Sequence, residues 1–131
     1  MERMTPQDIV KNAEGLKGTS VDWKQVYAHI ALVLKTNKYR MFRTRNTLFL
    51  IEIKAPGVAE MYTFNADTKH NLIKNMREFL AAMKKAQYRV VAGNTYNVNI
   101  LRLLQHAGFN VDIEQLATDT GKPLFRGTFH E

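Results

Sequence analysis

Residues 58–92 read VAEMYTFNADTKHNLIKNMREFLAAMKKAQYRVVA. The first seven, Val58 to Phe64, are a strand-like run of apolar and aromatic residues. Asn65-Ala66-Asp67-Thr68 is rich in helix-capping residues. From Lys69 onward, Leu72, Ile73, Met76, Phe79, Leu80 and Met83 recur at three- and four-residue steps, which predicts a long helix with one apolar face. Lys84-Lys85 suit the negative end of that helix. Tyr88 to Ala92 predicts a buried strand, broken at Gly93-Asn94. A strand, a helix and a strand in this space form a right-handed crossover, so the two strands are expected to be parallel neighbours.

Upstream, three strand-like runs stand close together: Tyr39–Arg45, Thr47–Lys54 and Val58–Phe64. Asn46 lies in the first tight connection, and Ala55-Pro56-Gly57 signals a second turn. Such short links imply an antiparallel meander. Two helices precede it. Thr5 and Pro6 open the first, with Ile9, Val10 and Ala13 on one face and Gly15 and Gly18 bracketing its end. Ser20 or Asp22 caps the second, along which Trp23, Val26, Tyr27, Ile30, Val33 and Leu34 form an apolar stripe. Downstream, Val98, Leu101, Leu104 and Ala107 mark a last helix stopped by Gly108. Phe109–Leu116 and Leu124–Phe129 read as strands joined through a turn at Thr118–Pro123. The order α-α-β-β-β-α-β-α-β-β predicts an α/β (α+β) mixed sheet of about six strands, mostly antiparallel, with helices on both faces.

The length of 131 residues fits a single domain spanning 1–131. A hydrophobic fraction of 45% is ample for one core and excludes a disordered composition. There is no cysteine, which removes disulfides, thiolate metal sites and cysteine nucleophiles and fits an intracellular compartment. No apolar run approaches the ~18–20 residues of a membrane span, and Met1–Pro6 has no apolar signal core, so a soluble chain without membrane contact is expected. Nineteen Lys and Arg against twelve Asp and Glu leave a net charge of +7, which favours acidic protein faces or polyanions as partners. His29, His70, His106 and His130 are dispersed, without metal-ligand spacing, and no metal site is expected. Lys35, Lys38, Arg40, Arg43 and Arg45 interleave with Tyr39 and Phe42, a pattern open to single-stranded nucleic acid. As strand residues, Arg43 and Arg45 would share one face and Arg40 the other.

The segment Asn97-Val98-Asn99-Ile100-Leu101-Arg102-Leu103-Leu104-Gln105-His106-Ala107-Gly108-Phe109 resembles the last helix of the GCN5-related N-acetyltransferase (GNAT) family, with an Asn opening it and Gly-Phe closing it. Val90-Val91-Ala92-Gly93-Asn94-Thr95, running into that helix, is similar to small GNAT-like proteins of short-tailed bacteriophages. The resemblance implies a GNAT-like sheet with one splayed parallel pair. It implies acetyl-CoA as the cofactor of an active member, its pantetheine arm on the backbone of Met61, Tyr62, Thr63 and Phe64. The pyrophosphate would sit at the helix start near Thr68, Lys69 and His70, with Asn97 as a further contact. Glu60, beside the splay, is the general base that the resemblance suggests, ahead of Glu52.

Two departures count against catalysis. The family carries glycines in the pyrophosphate turn, where backbone must approach phosphate closely. Here Asn65–Asn71 has none, and Asp67 would bring a negative charge there. The family's acidic Tyr, four residues before the closing Gly, is Leu104, which has no proton to give, and Tyr96 is two turns away. Thr68 and Asn97 also read as plain N-caps, Glu60 as a surface carboxylate and the basic runs as solvated faces. The expected function is therefore a phage-type GNAT-fold protein with a degenerate acyl-CoA site. It would bind a protein partner, in the virion or in the host cytoplasm. An active acetyl-CoA-dependent N-acetyltransferase and a basic nucleic-acid-binding module are the alternatives.

Overall fold

The computed structural model describes residues 3–13, 16 and 20–130. The expected helix end at Gly15 and Gly18 lies outside these residues. Helix α1 (Pro6–Lys11) starts in a reciprocal cap: Thr5 Oγ1 accepts from Asp8 N and Asp8 Oδ2 accepts from Thr5 N, each at 3.2 Å. Helix α2 (Trp23–Val33) is capped by Asp22 rather than Ser20. The meander follows as β1 (Tyr39–Thr44), β2 (Thr47–Ala55) and β3 (Val58–Asn65). Then come α3 (Lys69–Lys85), β4 (Val90–Thr95), α4 (Val98–His106), β5 (Val111–Leu116) and β6 (Leu124–His130).

All six strands form one sheet in the order β1-β2-β3-β4-β6-β5. Every pairing is antiparallel except β3 with β4, so the crossover expected from residues 58–92 is present. Alternation along β2 feeds two cores. Leu48 and Leu50 face α1 and α2, packing with Ile9, Val10 and Ile30. Phe49 and Ile51 face the other way, joining Met76, Phe79 and Met83 of α3, Leu101 and Leu104 of α4, and Phe129. Phe49 and Phe79 stack at 4.1 Å between centroids with planes 4° apart, and Phe42 leans on both.

Several boundaries differ from the sequence reading, among them β5, which starts at Val111 rather than Phe109 because Phe109 N still bonds back to Leu104 O at the end of α4. Arg45 is not strand but turn, with φ of 51°, so it does not share a face with Arg43. Strand β4 begins at Val90, because Gln87 (φ 71°) ends α3 in a left-handed turn and Tyr88 N bonds back to Met83 O. The same strand runs through Gly93-Asn94 to Thr95, because β6 pairs with it along its whole length.

Candidate functional site

Strands β3 and β4 pair at only three positions: Val58 with Val90, Ala59 with Val91, and Glu60 with Ala92. Beyond them β3 stays with β2 as far as Asn65, while β4 follows β6, so the parallel pair splays. Gly93 stands at the point of divergence. A Cβ there would lie 2.9 Å from Met61 O and 3.0 Å from Met61 Cγ, so only glycine fits against β3 without a shift. The splay opens a cavity of about 300 Å³ lined by Glu60–Phe64 and Asn94, with Ala13 and Leu16 forming its other wall.

Glu60 points to the α1/α2 face of the sheet, where Arg126 of β6 meets it in a fork-to-fork ion pair. Arg126 Nη1 and Nη2 donate to Glu60 Oε1 and Oε2, both at 2.7 Å. The Glu60 side chain is mostly buried, at 12% exposed. Arg126 also donates to Asn94 Oδ1 at 3.1 Å, and the Glu60 bonds push its guanidinium above its ordinary range. Neither oxygen of Glu60 is therefore free of a guanidinium N–H, a poor starting state for a base that must take a proton from an amine.

Tyr62, two residues on and on the same face, donates to Glu52 Oε1 at 3.0 Å. Glu52 lies below the usual carboxylate range, first because Lys54 Nζ stands at 3.1 Å and also because of the Tyr62 hydroxyl. Burial of the phenol, followed by the Glu52 carboxylate, pushes Tyr62 up to about 12. The folded state thus favours protonated Tyr62. Its contribution to stability is complete below pH ~10, the ordinary tyrosine value, and is lost as pH rises towards 12. In a spectrophotometric titration of the five tyrosines, the latest phenolate to appear is expected to vanish in Tyr62→Phe. An unchanged high-pH component in that variant would assign it elsewhere.

The turn from β3 into α3 is closed upon itself. Thr68 is the N-cap, and its Oγ1 accepts from Asn71 N at 3.3 Å. Asp67 N donates to Asn65 Oδ1 at 3.0 Å, and Asn65 Nδ2 donates to Asp67 O at 3.1 Å. The Asp67 carboxylate turns inward: its Oδ2 accepts from Asn46 N (2.9 Å), Thr47 Oγ1 (3.3 Å) and Asn75 Nδ2 (2.8 Å). Asn75, fully buried on α3, also donates to Thr47 Oγ1 and accepts from Arg45 Nη1, both at 2.8 Å. Lys69 and His70 stand exposed in the first turn of the helix.

Tested against acetyl-CoA, the two ends of the site differ. The splay has an open backbone edge at Met61–Phe64 where a pantetheine arm would lie. The pyrophosphate end does not fit: it has no glycine, and two of its N–H groups are spent on Asn65 and Thr68. At α4, Asn97 is the N-cap, its Oδ1 accepting from Asn99 N at 3.1 Å. Leu104 is 1% exposed and belongs to the core under α3. Tyr96 is exposed, with Lys122 Nζ 5.0 Å from its ring centre.

The basic run of β1 is used within the fold. Arg43 Nη2 donates to Met4 O at 2.6 Å, and burial pushes its guanidinium down. Arg45 turns to α3, bonding Asn75 and pairing with Glu78 at 3.1 Å. Arg40 donates to Asn37 O and Tyr39 O. Among the described residues no three His, Asp or Glu side chains gather as metal ligands would, and no helix is long and apolar enough to cross a membrane.

Two site residues escaped the sequence reading. Arg126 lies 66 positions from Glu60, and nothing local marks it as the partner. Asn75 could have been found: it falls on the same face as Leu72, Met76 and Phe79, so a polar side chain there must be buried and satisfied.

No family model and no curated protein matches the chain in sequence. Solved structures match in fold. The ribosomal-protein-S18-alanine N-acetyltransferase from Escherichia coli superposes with a TM-score of 0.64 at 12% identity, over 98% of this chain and 91% of that one. A spermidine N-acetyltransferase SpeG chimera from Vibrio cholerae and hSSAT gives 0.67 at 12% identity, over 98% and 94%. A GNAT-family structure from Desulfovibrio desulfuricans gives 0.67 at 12%, over 98% and 96%. The chain has the GNAT acetyltransferase fold.

Proposed function

We propose that the chain is a GNAT-fold binding protein of the kind carried by short-tailed phages. In this reading its acyl-CoA site is degenerate and it works by docking a protein partner, in the virion or in the infected host. The observation that carries this reading is the β3–α3 turn. Its Asp67 and Asn71 N–H groups bond their own neighbours, and the Asp67 carboxylate ties it to the β1–β2 turn. A phosphate group would have to compete with those bonds for two of the N–H groups of the turn, beside the Asp67 carboxylate. Two further features agree: Leu104 is a core residue where a proton donor is needed, and Glu60 is held in its ion pair with Arg126.

An active acetyl-CoA-dependent N-acetyltransferase is the second reading, favoured by the open splay at Met61–Phe64. Calorimetric titration with acetyl-CoA and with CoA separates the two. The expected result is no saturable heat up to millimolar ligand. Micromolar binding that weakens when Lys69 and His70 are replaced by glutamate would overturn the degenerate-site reading.

A further inference from the structure

A second cavity, of about 400 Å³, lies on the α3/α4 side of the sheet at the opposite end of the parallel pair, where β4 begins. Its wall is apolar: Leu80 and Met83 from α3, Tyr88 before β4, Phe109 after α4 and Phe129 from β6. Its rim is basic. Arg77 and Lys84 come from α3 and Arg89 from the approach to β4, all three exposed, with His130 at the end of β6. No Asp or Glu lines it among the described residues. The Asp112 carboxylate meets His130 Nε2 at 2.8 Å.

Arg77 is held in place. Its Nη2 donates to Ala107 O at 2.5 Å, and its guanidinium carbon lies 4.9 Å from the centre of the Phe109 ring. The cavity also ends a longer feature. His70, Lys74, Arg77, Ala81 and Lys84 follow one another at four- and three-residue steps and are all exposed. This stripe carries no acid. Glu78 flanks the stripe, one turn from Lys74, and pairs with Arg45. The outer face of α3 thus leads from Lys74 and Arg77 into an apolar recess with a basic rim.

Resting on the binding-protein reading, we propose that this recess docks an acidic protein segment carrying one large apolar side chain. The apolar group fills the space between Leu80, Met83, Tyr88 and Phe109, and flanking carboxylates meet Arg77 and Arg89. Charge complementarity selects the partner and apolar burial anchors it. The cavity shares no residue with the splay, so occupancy here does not require the acyl-CoA site.

The test is an amide NMR titration of the full chain with the capped peptide DEDFEDE. Saturable shifts are expected at Leu80–Lys84, Tyr88–Arg89 and Gly108–Asn110. Arg89→Glu should weaken binding about tenfold, as a rim charge reversal does. Ala81→Trp, which fills the mouth, should abolish it, with the spectrum of each variant reporting that the fold is intact. The same peptide with Ser for Phe should bind at least about tenfold more weakly, having lost its buried ring. Absence of saturable shifts at these residues, or full binding to Ala81→Trp, overturns the proposal. So does tighter binding of oligothymidylate of equal charge at the same residues, which would make this a nucleic-acid surface. Acetyl-CoA is titrated separately. Shifts at Met61–Phe64 and Thr68–Asn71 would count against the degenerate site whatever the peptide does.

Discussion

Phe79→Ala is expected to destabilise the protein by about 3–5 kcal/mol, the cost of deleting a fully buried aromatic ring. Phe79 is 0% exposed and sits at the centre of the larger core. Its ring stacks on Phe49 at 4.1 Å and meets Phe42 at 5.8 Å, so its loss strips both partners of contact at once. The neighbours cannot close the hole easily, because Phe49 is fixed by its strand and Phe79 by a helix that packs across the sheet. Against a total stability of ~5–15 kcal/mol this is a large loss. For a chain of this length it corresponds to a fall in Tm of about 10–18 °C by calorimetry. Phe79→Leu should recover most of it by filling much of the volume. An alanine variant melting within a few degrees of the parent would show that this stack is not the centre of the core.

Asn75→Leu is the second large effect, expected at about 3 kcal/mol in urea unfolding. The substitution is nearly isosteric and apolar, which by simple burial arithmetic should help. It fails because the amide of Asn75 bonds buried Thr47 Oγ1 and half-buried Asp67 Oδ2 through Nδ2, and Arg45 Nη1 through Oδ1. Removing Asn75 leaves buried Thr47 and half-buried Asp67 short of bonds, while the exposed Arg45 can turn to water. The damage should be local as well as global. Asp67 holds the β3–α3 turn to Asn46 N, so exchange of the Asn46 amide should accelerate more than that of β4 or β6 amides. Uniform acceleration across the sheet would mean that Asn75 supports the core generally and does not clamp this turn.

Much of the architecture is visible in the sequence, for physical reasons that are easy to state. The residues from Val58 to Ala92 carry a strand, a helix and a strand whose handedness rule leaves one arrangement, and that is the parallel pair observed. The apolar periods of α2 and α3 place their buried faces correctly because burial is what the period encodes. What is not visible depends on distant partners. Arg45 adopts a left-handed turn that sequence statistics reserve for Gly or Asn, with its guanidinium held by Asn75 and Glu78, some thirty residues along the chain. Gln87 likewise ends α3 without a glycine. At the candidate site, Glu60 is recognisable from its place beside the splay. Its capture by Arg126 is a fact of β6 lying next to β4, which no local pattern announces. Asp67 reads as a stray negative charge until the hairpin turn that it grips is in view.

The three-residue contact between β3 and β4 has a mechanical consequence. It divides the sheet into two leaves, β1-β2-β3 and β4-β6-β5, each internally stitched along full strand lengths. Few backbone bonds cross between them. The leaves are joined mainly by the oily layer under α3 and α4, where Phe49, Ile51 and Met61 of one leaf meet Val91, Val111 and Phe129 of the other, and on the opposite face by the Glu60–Arg126 ion pair. Solvents that weaken apolar burial should therefore part the leaves before either one unravels, whereas cold, which also weakens that burial, should act on the same seam.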